Sequence, residues 1–326
     1  MDFGNAKVPS LGGIPLLAKL GQGGMGAVYY GIHPRLKIEV AVKVLPFHLA
    51  EQNPEMVQRF FREAETAARV SSPHLVNVKD VNQESGIHYL VMEFVKGQTA
   101  GGYLRKVKES GATGLVEAEA LDICIAASEG LCAAHEEGII HRDIKPDNIL
   151  IPFDKSGQPS FAASKLSDLG LARGVDPGHS LTGSNLPMGT PGYMPPEQAE
   201  DAKNARKPAD VFSMGATLYA LLSGNAPFQG SALLKILRAT IEQPQTPIRQ
   251  LRPEISAATA ALLDKCLAKD PSQRLTDAAA LLEALKACRN VEHAVQPAVS
   301  PLPGGEGGRG EGAVVKRCLK NRDMAS

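Results

Sequence analysis

The sequence contains no tryptophan, and aromatic residues make up only 5 % of its 326 positions. It also has no excess of either charge, since 35 Lys and Arg residues balance 35 Asp and Glu residues. That balance argues against a protein that binds nucleic acid through a broad basic face. No apolar run approaches the roughly 20 residues of a membrane-spanning helix. The longest, Val211–Leu222, is interrupted by Ser213 and Thr217.

Cysteine is sparse and widely spaced, with no C-x-x-C pair, which gives no support for a disulfide framework or a structural zinc site. The five cysteines are Cys124, Cys132, Cys266, Cys288 and Cys318. The first residues show no basic segment leading into a long apolar one, so no secretory signal is visible. With 43 % hydrophobic residues the chain can bury a substantial core, and we expect a soluble cytoplasmic protein.

The chain divides into a strand-rich part and a helical part. Residues 1–13 form an N-terminal extension, and residues 14–95 are predicted to be strands with one helix, which begins after Asn53 at Pro54 and ends near Val70. The predicted strands are Leu16–Leu20, Ala27–Ile32, Glu39–Leu45, Val76–Asn82 and Ile87–Glu93.

After a junction near Phe94–Gly97 the apolar residues recur every three to four positions, which predicts helices through residues 96–289. The predicted helices are Glu117–Glu136, Pro208–Leu222, Ser231–Glu242, Ser256–Leu267 and Thr276–Arg289. Residues 290–326 contain a run of Pro, Gly and charged residues, and we expect a disordered tail there.

Three segments carry chemistry-bearing residues, and the first is the glycine-rich run Gly21–Val28. Glycines at this spacing let backbone N–H groups approach phosphate oxygens closely. The main alternative is a dinucleotide-binding fold, which requires a helix directly after the third glycine. Here Gly26 leads into a strand-like sequence, so the pattern favours a hairpin loop lying over its ligand. A plain glycine-rich turn remains possible from this segment alone.

The second segment places Lys43 in the apolar strand Val40–Leu45, where an unpaired ammonium would be costly. The predicted helix offers Glu63 and Glu65 as partners. Glu63 lies beside the apolar stripe of the helix, so it is the better candidate. A Lys43–Glu63 pair next to the glycine-rich loop would point the lysine at bound phosphates.

The third segment, Ile140–Leu150, packs two acids, two cations and an amide between apolar residues. Transfer of a phosphoryl group to an alcohol needs a carboxylate for the hydroxyl proton, a lysine for phosphate charge and an amide for metal. Downstream, the segment Lys165–Arg173 is predicted to be a strand that ends in Asp168 and Gly170, and the carboxylate of Asp168 could hold a divalent cation that bridges phosphates.

With these motifs in this order, the sequence resembles the eukaryotic-like (Hanks-type) protein kinases, and most of all the bacterial serine/threonine kinases. The resemblance runs from about Leu16 to about Arg289. It implies an α+β, bilobal protein kinase fold, in which a small antiparallel-sheet N-lobe carries one helix and the larger C-lobe is helical. It also implies ATP as substrate, Mg²⁺ or Mn²⁺ as cofactor, proteins with Ser or Thr as acceptors, and a transient homodimer for trans-autophosphorylation.

The resemblance assigns roles residue by residue. Asp143 would be the catalytic base, Lys145 would stabilise the transferred phosphoryl group, Lys43 held by Glu63 would contact the α/β-phosphates, and Asn148 and Asp168 would hold the metal. The residues expected to bind ATP are Leu20, Gly21, Gln22, Gly23, Gly24, Met25, Gly26, Val28, Ala41, Lys43, Met92, Glu93 and Val95. Met92 would be the gatekeeper, although it could be an ordinary core methionine.

Other matches are structural or regulatory. The residues expected to support the fold are His141, Arg142, Asp210 and a Glu197–Arg274 pair, with Asp210 anchoring the backbone of the catalytic loop. Lys145 and Thr190, the latter in the substrate-facing segment, resemble Ser/Thr rather than Tyr kinases. Arg142 suggests regulation by a phosphorylated activation loop. The candidate phosphosites are Ser180, Thr182 and Ser184.

The chain departs from the family pattern at three places. Leu169 replaces the usual Phe, and Pro195 replaces the usual Ala or Ser. The spacing from Asn148 to Asp168 is long, which predicts that Pro152–Ala163 enlarges the tip of a hairpin. The alternative function is a catalytically weak, nucleotide-binding pseudokinase scaffold. Such proteins normally lack the residues that correspond to Lys43, Asp143 or Asp168, and all three are present here.

Overall fold

A computed structural model of the chain describes residues 8–23, 26–45, 50, 54–169, 190–201 and 204–295, and within these ranges it leaves out the side-chain surroundings of residues 54–56, 59, 63 and 292–295. Residues 180, 182 and 184, the three candidate phosphosites, lie outside the described residues, as do Gly24 and Met25 of the glycine-rich run.

The N-terminal part is one six-stranded antiparallel sheet with the strand order β1-β2-β3-β4-β6-β5. Its strands are β1 (Ser10–Leu11), β2 (Ile14–Gly23), β3 (Gly26–Ile32), β4 (Glu39–Val44), β5 (Val78–Glu84) and β6 (Ile87–Glu93). Helix α1 (Pro54–Arg69) lies between β4 and β5 in the chain. The predicted small antiparallel lobe with one helix is therefore confirmed for the described residues.

Alternation along β4 explains why the sheet has a filled layer on each face. Val40 and Val42 pack on one side with Leu11 and Tyr89. Ala41, pointing the other way, belongs to a second cluster that includes residues of α1 and β6. The apolar members of this second cluster are Leu45, Phe60, Ala64, Leu90 and Met92. Burial on both faces fixes the register of β4 and so the position of Lys43.

The C-terminal part is helical. Its helices are α2 (Ala100–Glu109), α3 (Glu117–Glu136), α4 (Pro196–Glu200), α5 (Lys207–Ser223), α6 (Leu233–Glu242), α7 (Ile248–Leu251), α8 (Ala257–Cys266) and α9 (Ala278–Val295). Every residue from Ala209 to Ser223 is buried, so the most apolar stretch of the sequence is the central helix of this lobe. Among the helices of the described ranges, none combines the length and the apolar character that a membrane crossing requires.

A small antiparallel sheet lies beside these helices. It is formed by β7 (Gly97–Thr99), β8 (Ile149–Pro152) and β9 (Lys165–Leu166), in the order β7-β8-β9. Strands β8 and β9 pair antiparallel, with Ile149 opposite Leu166, so the predicted hairpin with an enlarged tip is confirmed. The hairpin holds two segments of the site at adjacent positions, because β8 follows Asn148 and β9 precedes Asp168.

Three features differ from the sequence-based boundaries. Strand β1, within the supposed extension 1–13, pairs with β2. Helix α9 continues to Val295, six residues into the supposed tail. Helix α2 was not predicted, because its two glycines lower helix propensity. It forms because the Thr99 hydroxyl accepts a hydrogen bond from the Gly102 amide at 2.9 Å and because Leu104 is buried.

Candidate active site

A cleft of about 920 Å³ lies between the six-stranded sheet and the helical lobe. Its lining includes most residues expected to bind ATP, namely Leu20, Gly21, Gln22, Gly26, Val28, Ala41, Lys43, Met92, Glu93 and Val95. Asp143, Lys145, Asn148, Asp168 and Thr190 line the same cleft. The structure thus brings together residues separated by up to 170 positions in the sequence.

The described residues of the glycine-rich run lie at the end of β2 and the start of β3. Gln22 lies opposite Ala27, and Gly23 opposite Gly26, in an antiparallel register. Gly26 has a φ of 125°, a backbone conformation that side chains rarely allow, which explains glycine at this position. A strand and not a helix follows the third glycine, so the dinucleotide-binding alternative is wrong.

Lys43 reaches into the cleft from β4. Only 7 % of the residue is exposed, and its Nζ donates to Asp168 Oδ1 at 2.5 Å. The predicted Lys43–Glu63 pair stays a prediction, because Glu63 belongs to α1 but its side chain lies outside the described part of the chain. Asp168 therefore satisfies the buried ammonium in this arrangement.

Asp168 follows β9 and Ser167 with a φ of 60°, in the left-handed region that non-glycine residues rarely adopt. Burial acts to raise the pKa of its carboxyl, but the positive charge and hydrogen bond of Lys43 outweigh burial and the pKa is lowered overall. Its carboxylate is thus held in the ionised form. Leu169, in place of the usual Phe, is buried in the core of the helical lobe.

Asp143, Lys145 and Thr190 form a closed triangle of hydrogen bonds. Lys145 Nζ lies 2.9 Å from Asp143 Oδ2 and 2.5 Å from Thr190 Oγ1. Thr190 Oγ1 donates to Asp143 Oδ1 at 3.0 Å. A hydroxyl group is therefore already bound to the Asp143 carboxylate, which shows that this carboxylate can accept a hydrogen bond from an alcohol at the base of the cleft.

Asn148 completes this group from the short 3-10 turn Pro146–Asn148. Its Nδ2 donates to the Asp143 backbone oxygen at 2.7 Å and to Asp143 Oδ2 at 3.0 Å. This leaves Oδ1 of Asn148 without a hydrogen-bond partner among the described residues. An amide oxygen and an ionised Asp168 carboxylate are hard oxygen donors of the kind that Mg²⁺ and Mn²⁺ bind, so the residues present fit such an ion.

The backbone of the catalytic loop is held by Asp210, which is fully buried on α5. Its Oδ2 accepts from the His141 amide and its Oδ1 from the Arg142 amide, each at 2.8 Å. These are the contacts that the anchoring role predicted for Asp210 requires. Arg142 has a φ of 68°, so these two hydrogen bonds hold a backbone conformation that is unfavourable for a side-chain-bearing residue. The His141 ring packs beneath, 2.8 Å from the Ser167 backbone oxygen.

His135 is a supporting residue that the sequence did not reveal. Its Nε2 lies 2.8 Å from Asp210 Oδ2, and its Nδ1 accepts from the Ala278 amide at 3.2 Å. The ring therefore connects the first residue of α9 to the aspartate that holds the catalytic loop. No linear motif marks it, since its partners lie 75 and 143 residues away.

Glu197 and Arg274 pair as predicted. Arg274 donates from Nη1 to Glu197 Oε1 at 2.7 Å and from Nη2 to Oε2 at 2.9 Å. The arginine side chain is fully buried and also donates to backbone oxygens of Ala268, Pro208 and Lys269. A bidentate pair in this setting ties α4 to the end of the helical lobe.

The connection between the lobes offers backbone groups to a flat ligand. Met92 is buried among Phe60, Ala64 and Leu90 and also lines the cleft, and its gatekeeper role stays a prediction. The Glu93 side chain turns to Lys165, at 2.7 Å. Val95 has no backbone hydrogen-bond partner within the described ranges, which leaves its amide and carbonyl available to a nucleobase.

The cleft also contains residues that no motif singled out. Val76 and Leu150 add apolar surface on its two sides. At its outer end lie Gln98, Thr99, Gly102, Arg105, Lys106 and Asp147. Sequence reasoning missed the residues of α2 because the helix itself was not predicted.

Comparison with known proteins agrees with this geometry. The protein-family profile described as "Protein kinase domain" matches residues 15–287. The chain is 35 % identical over 294 residues to the serine/threonine-protein kinase Pkn1 of Myxococcus xanthus, and the match covers 90 % of this chain and 40 % of Pkn1. It is 35 % identical over 289 residues to the serine/threonine-protein kinase PknA of Mycobacterium tuberculosis, covering 86 % of this chain and 62 % of PknA.

A solved structure, that of the Mycobacterium tuberculosis PknI kinase domain, superimposes with a TM-score of 0.68 at 26 % identity. The superposition covers 87 % of this chain and 99 % of that domain. The chain spans about 40 % of the length of Pkn1 and 62 % of that of PknA. On the profile match, the fold and the arrangement of the cleft, the chain belongs to the protein kinase family.

Proposed function

We propose that the protein is an ATP-dependent serine/threonine protein kinase, with its catalytic domain in residues 14–289. The observation that carries the proposal is the triangle of Asp143, Lys145 and Thr190 at the base of the cleft that Lys43 and Asp168 also line. One side of the cleft suits phosphates and the other suits an alcohol, which is the requirement of phosphoryl transfer.

Each residue has a defined part in the reaction. The acceptor hydroxyl takes the position of the Thr190 hydroxyl against Asp143, so its proton passes to the carboxylate as its oxygen bonds to the γ-phosphorus. The bond from that phosphorus to the oxygen bridging the β- and γ-phosphates breaks, and ADP leaves. Lys145 balances charge on the phosphoryl group in transit, and Lys43 orients the α/β-phosphates.

Asn148 and Asp168 would hold Mg²⁺ or Mn²⁺. The ion would supply neutralisation of phosphate charge. The lowered pKa of Asp168 supports this assignment, because an ionised carboxylate is the ligand such a cation needs. The adenine would hydrogen-bond to Val95, with Met92 and Leu150 against its faces.

Regulation and location extend the proposal. Autophosphorylation at Ser180, Thr182 or Ser184 within a transient homodimer would give Arg142 an anionic partner. These three residues lie outside the described part of the chain, so support comes from the sequence alone. The four described cysteines are free, and three of them are buried, which supports a reducing, cytoplasmic location.

The test is transfer of labelled γ-phosphate from Mg-ATP by the purified protein to itself and to a basic protein acceptor. Wild type is expected to yield phosphoserine or phosphothreonine. The transfer rate of Asp143→Asn is expected to be lower by a factor of about 10²–10⁴, because a general base is removed. Asp80→Asn, an exposed aspartate on β5, serves as the matched control and should retain full activity.

Two results would contradict the proposal. Equal labelling by wild type and Asp143→Asn would show that the transfer is not catalysed at this site. Magnesium-dependent ATP binding without any transfer would favour the pseudokinase scaffold.

A further inference from the structure

The outer end of the cleft carries an ion pair that the catalytic arrangement does not use. We call Gln98, Arg105, Lys106 and Asp147 the cleft mouth. Arg105, on α2, donates from Nη1 to Asp147 Oδ1 at 3.2 Å. Asp147 lies between Lys145 and Asn148 in sequence, so the pair is directly beside the catalytic triangle. Both side chains are accessible, with 64 % of Arg105 and 54 % of Asp147 exposed.

Asp147 is held against the first turn of α2 by a local fit. A Cβ atom built at Gly101 would lie 2.5 Å from Asp147 Oδ1, so only glycine lets the carboxylate approach this closely. The N-terminal end of a helix carries partial positive charge from its free amides. The negative charge of Asp147 is therefore compensated twice, by the helix end and by the Arg105 guanidinium.

The positive charges of Arg105 and Lys106 are less fully balanced by nearby negative charge. Arg105 uses one of its five N–H donors for Asp147, and the described residues provide no partner for the others. Lys106 donates to Gln98 Oε1 at 2.7 Å, which is a neutral acceptor. Two cations thus face one anion, and that anion is already engaged. A carboxylate arriving from solvent finds unused donors here, whereas an arriving lysine or arginine meets two like charges.

We propose that the protein selects acceptor serines and threonines flanked by acidic residues, and that the Arg105–Asp147 pair sets this preference. The inference rests on the proposed kinase function and names the class of its protein substrate. Arg105 is the specificity residue, because a guanidinium can bind a carboxylate through two parallel hydrogen bonds while Asp147 keeps it in place.

The experiment compares three synthetic peptides of equal length that carry a single threonine, flanked on both sides by Glu, Gln or Lys. The measured quantity is kcat/KM for each peptide at saturating Mg-ATP. Wild type is expected to favour the Glu peptide over the Lys peptide by about fivefold or more, the size of effect that one exposed charge pair can produce.

Arg105→Glu should reverse the order, so that the Lys peptide becomes a better substrate than the Glu peptide. Arg238→Ala is the matched control, since Arg238 is also an exposed, ion-paired helical arginine but lies on α6 and does not line the cleft. It should keep the wild-type order.

Three results would overturn the inference. They are a wild-type preference for the Lys peptide, equal rates on the Glu and Lys peptides, and an unchanged ratio in Arg105→Glu. In each of these the Gln peptide is still phosphorylated and the proposed function stands. If no peptide and no protein acceptor is labelled by wild type, the proposed function itself fails, and the substrate preference fails with it.

Discussion

The two sides of the cleft are held in place by different means. On the helical side, the Asp210 carboxylate accepts hydrogen bonds from two backbone amides and lies against the His135 ring. The Asn148 side chain donates hydrogen bonds to both the backbone oxygen and the carboxylate of Asp143. On the sheet side, the β2–β3 hairpin has two register irregularities, and Lys43 forms an ion pair with Asp168 of the opposite lobe. The helical side is therefore a rigid frame of buried hydrogen bonds, whereas on the sheet side the described residues position Lys43 through the register of β4 and its ion pair with Asp168.

Stability and catalysis are therefore expected to depend on the two sides of the cleft to different degrees. A residue of the rigid frame should affect both folding and catalysis, since its hydrogen bonds are buried. A residue of the sheet side should affect catalysis with little change in stability. Substitutions on the two sides should therefore differ in how far they lower stability together with activity.

The largest effect is expected for Lys43→Met on the sheet side. Loss of the ammonium removes the charge that orients phosphates, and phosphoryl transfer should fall by about 10²–10³-fold. The methionine fills a similar volume, so the midpoint of denaturant unfolding should move little. Steady-state kinetics and urea titration on the same preparation measure both, with Lys79→Met, an exposed lysine on β5, as control. A large loss of stability would show that Lys43 contributes to folding as the buried residues of the helical side do.

Asp210→Asn should come next, and here stability and activity should fall together. An amide offers one acceptor oxygen where the carboxylate offers two, so at least one buried backbone N–H loses its partner, at a cost of about 1–3 kcal/mol. Urea unfolding measures the loss of stability, and the transfer rate should decrease in parallel. Asp264→Asn, at an exposed position on α8, should leave both unchanged. A stable but inactive Asp210→Asn would show that the frame does not depend on this carboxylate.

The smallest effect concerns a lysine of the helical lobe remote from the cleft. Burial, and secondarily the charge of Arg274, lower the pKa of Lys269 from 10.5 to about 8. Between these two values the unfolded chain binds the proton more fully than the folded chain, so this group makes stability rise as the pH increases from 8 to 10.5. Solvent screening limits the contribution to less than about 1 kcal/mol.

Lys269→Met should remove that rise. The measurement is the difference in unfolding free energy between wild type and the variant at pH 8 and pH 10, which cancels titrations that the two proteins share. Lys265→Met, an exposed position on α8, should keep the wild-type slope. An identical slope in Lys269→Met would mean that another group produces it.

The sequence was most informative where the residues of a motif or of an apolar pattern follow one another closely along the chain. The β2–β3 hairpin followed from the strand-like residues after Gly26, and the Glu197–Arg274 pair followed from two family motifs. Helix α5 followed from a periodic apolar run, although its burial on every side became evident only from the packing.

What could not be predicted depends on contacts between distant segments. The contact of Lys43 with Asp168 joins residues that lie 125 positions apart in the sequence. His135 is defined by α9 and α5 together. Arg105 was not identified from the sequence, because α2 depends on the Thr99 cap and on the burial of Leu104, neither of which the apolar periodicity marks.

The enlarged hairpin between β8 and β9 has a practical consequence. Its tip is a tight turn in which Asp154 Oδ1 accepts from Ser156 and Gln158, and residues 154–158 are exposed. Because these residues are exposed and lie outside the paired strands β8 and β9, an insertion between Lys155 and Ser156 would lengthen the loop at a small entropic cost. The hairpin tip would therefore accept a fluorescent or affinity label, which would allow the intact protein to be followed without disturbing the residues that line the cleft.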